Sequence, residues 1–236
     1  MTLKAVAFDI DGTLYPNRKM YARSIPFGIR NMRLMRVFGR VRKKLRTIRP
    51  IDDFYTLQAQ LVAEELGTSY EATREKIDRV IYGEWEQVLN SVPIYPGVMQ
   101  FIHDLRARGV RIGVMSDFPV HTKLRVLKLD GLWDAEVSAE ETGYLKPSPE
   151  PFRVLSQNLG VDPEQTLYIG NSYHYDVVGA ATAGMYTAHL ESRTVPPAEI
   201  LHGELHRDTD ADIRPNMQFR QYPALQQLVT PYIHAS

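Results

Sequence analysis

Asp9 and Asp11 stand one residue apart at the end of an apolar run, Ala5–Phe8, in the stretch AVAFDIDGTLYP. Two carboxylates this close repel each other unless a proton or a cation intervenes. Burying them without compensation is costly. If the run is a strand, the i, i+2 spacing puts both acids on one side and Ile10 on the other. Such a pair suits nucleophilic and acid–base chemistry, or the holding of a hard cation through oxygen. Taken alone, Asp11-Gly12 is equally well explained as a turn, with Asp9 as a capping acid.

Other polar residues occupy comparable places. Ser116 follows VRIGVM, Lys146 lies in LKPSPEPF, and TLYI leads into Gly170, Asn171 and, after SYHY, Asp176. Singly, each has an ordinary structural reading: a polar strand boundary, a solvated lysine, a turn residue, a helix cap. Together they form an acid pair, a hydroxyl, an amine, an amide and a further acid, each at the exit of an apolar run or in a nearby loop. Ligands of open parallel sheets bind beyond such carboxyl ends.

The elements that must position this set are legible as runs. Ala5–Ile10, Val110–Met115, Thr166–Ile169 and the weaker Met185–Leu190 are short and apolar, as strands buried on both faces are. Helical patterns lie between them at Val98–Arg108, Pro149–Leu159 and Val177–Ala183, and 211–230 suggests one more strand and a closing helix. This alternation predicts an α/β fold with a parallel sheet. The interval from Asn17 to Val92 breaks it. Leu34, Phe38, Val41, Leu45 and Ile48 share one helical face, Asp53 opens a helix that stops at Gly67, and Thr68 with Glu71 predicts a capping box. An all-helical module is therefore expected between the first strand and the rest.

The composition is that of a soluble globular chain: 236 residues, 44% apolar, 28 basic against 28 acidic residues. With no cysteine, disulfides and thiolate metal sites are excluded. No apolar stretch approaches the roughly 18 residues of a membrane span, and the N-terminal run ends in acids unlike a secretory signal. A cytoplasmic location is expected. Overall neutrality gives no reason to expect a nucleic-acid partner. Locally, 18–49 carries many Arg and Lys residues and no acid. The simplest expectation for this stretch is a solvated helix face. Steering of an anionic substrate by Arg18 or Arg23, and an anionic partner such as a membrane surface or RNA, are its rivals.

The motifs FDIDGTL (8–14), Ser116 after VRIGVM, Lys146 in LKPSPEPF and YIGNSYHYDVVGA (168–180) resemble those of the haloacid dehalogenase superfamily of phosphohydrolases. The resemblance implies a Rossmann-like core of residues 1–16 and 93–236 and a helical cap of the first type at 17–92. It also implies roles. Asp9 would be the nucleophile, forming an aspartyl-phosphate, Asp11 the acid and base, and Ser116 and Lys146 the groups that bind the phosphoryl oxygens. Mg²⁺ would be held by Asp9, the Asp11 backbone carbonyl, Asn171 and Asp176. Dehalogenases proper lack an acid two residues after their nucleophile, so Asp11 favours phosphoryl transfer. The fourth motif more often begins Gly-Asp, whereas this chain has Gly170-Asn171. Tyr15-Pro16 is similar to some nucleotidase-like members. The expected function is a Mg²⁺-dependent phosphatase of a small phosphorylated metabolite. The alternatives are a phosphomutase and a weakly active phosphate-binding regulatory protein. Neither the oligomeric state nor a role for 191–210 is legible.

Overall fold

Residues 2–191, 198–200 and 213–233 are described by the structure, a computed structural model. β1 (Ala5–Asp9) is followed by α1 (Asn17–Arg30), α2 (Met32–Leu45), α3 (Phe54–Leu66), α4 (Tyr70–Arg79) and the short α5 (Trp85–Gln87). Alternation then resumes with α6 (Val98–Ala107), β2 (Arg111–Ser116), α7 (His121–Val126), β3 (Ala135–Ser138), α8 (Glu150–Leu159), β4 (Thr166–Gly170), α9 (Val178–Thr182) and β5 (Tyr186–Leu190). The last elements are β6 (Ala198–Ile200), β7 (Met217–Phe219) and α10 (Tyr222–Val229). Of the segment 191–210, residues 192–197 and 201–210 lie outside the described residues.

The strands form one sheet in the order β3-β2-β1-β4-β5-β7-β6, parallel except for β6 against β7. β1 is buried along its whole length because helices cover both faces. Ala5 and Ala7 face Phe152 and Leu155 of α8, whereas Val6, Phe8 and Ile10 face Phe101 and Ile102 of α6. This period-two alternation turns Asp9 and Asp11 away from Ile10.

The helices between β1 and α6 have a core of their own, in which Leu34, Phe38, Val41 and Leu45 of α2 meet Val62, Leu66, Ile77 and Ile81. Asp53 caps α3 by accepting from the Thr56 amide at 3.0 Å, and Gly67 ends it at φ +66°. The predicted cap of α4 is displaced by one residue. Ser69, not Thr68, accepts from Ala72 N, and the Thr68 hydroxyl instead meets the Thr73 hydroxyl at 2.7 Å. No helix among the described residues is long and apolar enough to cross a membrane.

The basic stretch is not uniformly solvated. Arg40 pairs with Glu65 on the surface, and Lys43 and Lys44 are exposed, but Arg42 is buried. Its guanidinium ion-pairs with Glu140, donates to the Asp117 carbonyl at 3.1 Å and lies 4.2 Å from the centre of the Phe118 ring. It thereby ties α2 to the loops that follow β2 and β3. Removing one partner of a buried ion pair strands the other charge, at a cost of about 3–5 kcal/mol. Arg42→Ala is expected to lose that much unfolding free energy in urea titrations. Arg42→Met combined with Glu140→Gln should recover most of it, and a loss below about 1 kcal/mol for the single variant would show that the pair is solvated.

Candidate active site

The six residues singled out by spacing line one cavity of about 420 Å³, between the carboxyl end of the sheet and the helical segment. Asp9 ends β1, Ser116 ends β2, Asn171 follows β4, and Asp176 lies in the turn before α9. Lys146 arrives from the loop after β3, whose amide at Lys146 donates to Asp117 Oδ1 at 3.0 Å. Gly12 lets the chain turn after Asp11. Its φ is +93°, and a Cβ there would fall 2.6 Å from the Asn171 side-chain nitrogen. Gly170 lets β4 pass Asp176, whose own Cβ would lie 2.3 Å from an added one.

At the centre, the Lys146 ammonium donates to Asp9 Oδ1 and Asp176 Oδ1, both at 2.7 Å, with the Tyr168 hydroxyl 3.2 Å away. All three charged groups are nearly inaccessible to solvent. One ammonium is shared by two carboxylates, so the balance is uneven. Burial, then the Asp176 charge, pushes the Asp9 carboxyl well above the usual range, against the pull of Lys146. Burial alone would lower the Lys146 ammonium, but Asp176 and Asp9 raise it and keep it charged.

Asp11 is in a different environment. Its Oδ1 accepts from the Tyr15 hydroxyl at 2.5 Å, and its Oδ2 accepts from Ser116 Oγ at 2.9 Å and from the Lys123 ammonium. Burial favours its neutral form, but Lys123 and the two hydroxyls outweigh it and hold the carboxyl below the usual range. The two acids are therefore driven apart, one toward the proton and one away from it.

The donors fit a hard cation. Thr13 Oγ1 donates to Asp9 Oδ2 at 2.8 Å and lies 3.2 Å from Asn171 Oδ1, which brings that amide oxygen beside Asp9. Asp9, Asp176 and Asn171 thus present oxygens around an under-compensated negative pair. Among the described residues no group of three His, Cys, Asp or Glu side chains could hold a metal, and the Asn171 amide is a further oxygen donor beside the pair.

Three contributors were not legible in the sequence. Lys123 of α7 lies unmarked within HTKLRV, Arg46 is one of many bases in 18–49, and Glu86 is one of several acids in the helical interval. Arg46 Nη2 meets Asp117 Oδ2 at 2.5 Å, and the guanidinium also bonds the Lys146 carbonyl and covers the Tyr175 ring at 4.2 Å. Arg18 and Arg23, expected nearest the site, are exposed and do not line the cavity.

A family model described as haloacid dehalogenase-like hydrolase matches residues 3–184. The chain is 29% identical over 204 residues to a glyceraldehyde 3-phosphate phosphatase of Methanopyrus kandleri, covering 80% of this chain and 84% of that protein. It is 26% identical over 196 residues to the pyrophosphatase PpaX of Bacillus cereus, covering 80% of this chain and 83% of that one. In fold it is similar to a 2-haloacid dehalogenase from Pseudomonas syringae pv. Tomato, with TM-score 0.68, 20% identity and coverage of 98% of this chain and 100% of that one.

Lys123 is the charge that holds Asp11 ionised. Replacing it in Lys123→Met is expected to raise the Asp11 titration midpoint by at least about one pH unit. Carbon-detected NMR titration of the Asp11 carboxyl measures this directly, and an unmoved midpoint would mean that the hydroxyls of Tyr15 and Ser116 suffice.

Proposed function

The chain belongs to the haloacid dehalogenase-like hydrolases, and we propose that within them it is a phosphatase of small phosphorylated metabolites, working through an aspartyl-phosphate on Asp9. The observation that carries this reading is the second carboxylate. Asp11 reaches the same cavity as Asp9, held by three donors that can stabilise its ionised form. An alkoxide leaving group needs a proton and a halide does not, so an acid placed there favours phosphoryl transfer over dehalogenation. The phosphatase and pyrophosphatase named among the relatives support the same class.

In this mechanism an Asp9 carboxylate oxygen attacks phosphorus and the bond to the leaving oxygen breaks. Asp11 supplies the proton that the leaving oxygen takes. A water then attacks the phosphoryl group, Asp11 accepts the proton of that water, and phosphate departs with Asp9 restored. The geometry described here, with Asp11 held ionised, is the base form suited to the second step. For the first step Asp11 has to carry a proton. Ser116 then turns its hydroxyl from Asp11 to a phosphoryl oxygen, which weakens the hold on the ionised form. Lys146 neutralises the charge spread over those oxygens.

Asp9, the Asp11 carbonyl, Asn171 and Asp176 would hold Mg²⁺, whose charge lets an anionic carboxylate approach an anionic ester. We further propose that 17–92 acts as a cap on a core of 1–16 and 93–236. Arg42 and Arg46 are among the cap's polar contacts to that core.

A phosphate-release screen over simple monoesters, with and without Mg²⁺, tests the reading. Release of free phosphate also separates hydrolysis from a phosphomutase, which would return the group to its substrate. Asp9→Asn should lower turnover by roughly 10³-fold or more. Asp11→Asn should slow alkyl esters far more than activated aryl esters, and equal losses would remove Asp11 as the acid.

Asn171 gives a second test. With an amide in place of a third carboxylate, one negative charge near the cation is missing, so binding is weaker. Asn171→Asp is expected to lower the Mg²⁺ concentration that gives half-maximal activity. An unchanged or higher value would place the amide away from the metal, or show that it serves as a hydrogen-bond donor.

A further inference from the structure

Glu86 is an acid of the cavity that the mechanism does not use. It lies in α5 and is only 5% exposed. It lines the same space as Asp9 and Asp11. Its Oε2 is buried and finds no hydrogen-bond partner among the described residues. The same cavity is lined by the apolar side chains of Met20, Ile81, Trp85 and Leu89. Burial pushes the Glu86 carboxyl up to about 7, with Lys123 opposing and Asp11 adding to the rise. An unpaired buried carboxyl costs stability, and sequences break local rules of this kind mainly at functional positions.

The cations of this cavity are already engaged. Arg46 is paired with Asp117, Lys123 with Asp11, and Lys146 with Asp9 and Asp176. A second phosphate or carboxylate on the substrate would meet the Glu86 charge, and among the described residues Arg46, Lys123 and Lys146 of the cavity already have partners. A hydroxyl or an ammonium would instead supply the donor that Glu86 lacks.

We propose that Glu86 sets leaving-group specificity: it selects phosphate monoesters whose alcohol portion carries a hydroxyl or ammonium donor and no second negative charge. This rests on the phosphatase reading above. A donor that reaches Glu86 satisfies a buried acceptor, whereas an alkyl group leaves it unpaired, and sites built to hydrogen-bond a substrate discriminate strongly against analogues lacking the donor. The repulsion of a second anion excludes the other class.

The test compares kcat/KM for propyl phosphate, glycerol 1-phosphate, phosphoethanolamine, pyrophosphate and phosphoglycolate, with p-nitrophenyl phosphate as the control for phosphatase activity. Wild type, Glu86→Gln and Glu86→Leu are assayed with Mg²⁺. In wild type, glycerol 1-phosphate or phosphoethanolamine should exceed propyl phosphate by at least about tenfold, with the two doubly anionic substrates behind. In Glu86→Leu the ratio of donor-bearing to propyl ester should fall to near one. Glu86→Gln, a neutral acceptor, should keep a preference for the hydroxyl ester but lose any for the ammonium ester, which tells the two donors apart. Without substrate, Glu86→Leu should raise the Tm by a few degrees, since it removes an unpaired buried acid. A carboxylate with a merely structural role would lower it. Turnover of p-nitrophenyl phosphate together with indifference to the donor, or with a preference retained in Glu86→Leu, would overturn this inference and leave the phosphatase reading standing. No phosphate release from any ester in wild type would overturn both.

Discussion

The site depends on a single ammonium held between two buried carboxylates. Lys146 reaches Asp9 and Asp176 at the same distance, 2.7 Å, from a loop that belongs to neither of their strands. A buried ion cluster of this kind is a poor source of stability, because desolvation offsets most of the attraction. What it provides is position. The contact fixes the end of β1, the turn before α9 and the loop after β3 against one another. It also leaves the cluster one positive charge short, which adds to the burial that pushes Asp9 toward protonation and suits the place to an oxygen-bound cation.

A second polar layer ties this centre to the helical segment. Asp117 receives the Lys146 amide on one oxygen and Arg46 on the other, and Arg42 reaches Glu140 beside it. The basic run at 18–49 is therefore divided by packing. Arg42 and Arg46 turn inward because buried acids of the sheet portion are there to meet them. Arg40 and Lys43 remain outside, where charges contribute little. With these cations so engaged, the lining that the helical segment contributes combines the apolar Met20, Ile81, Trp85 and Leu89 with the polar Asn17, Tyr21, Arg46 and Glu86.

Much of this was legible in the sequence, for a physical reason. β1, β2, β4 and β5 are buried on both faces and read as apolar runs, so the polar residues ending them stand out. Asp9, Asp11, Ser116 and Asn171 were found that way, Lys146 and Asp176 in nearby loops were marked by the motifs LKPSPEPF and YIGNSYHYDVVGA, and the structure brings all six to one cavity. β3 was not legible, because AEVS is four residues long with Glu136 outward. Neither was the antiparallel β6, three residues long, nor α7, whose six residues are too few to show a period. Lys123, Arg46 and Glu86 escaped for another reason. Their types are those of exposed helix residues, and only the packing of α7, α2 and α5 against the sheet portion turns them inward.

The central claim is that Asp9 carries the phosphoryl group between two half-reactions. It is tested most directly in Asp11→Asn, where the base for the attacking water is gone and an intermediate should accumulate. Acid quenching during turnover of p-nitrophenyl phosphate, followed by peptide mass spectrometry, would locate the group. The account predicts a phosphoryl group on Asp9, present at a substantial fraction of enzyme and absent without substrate. Release of nitrophenol and phosphate together at every time point, with Asp9 unmodified, would contradict it.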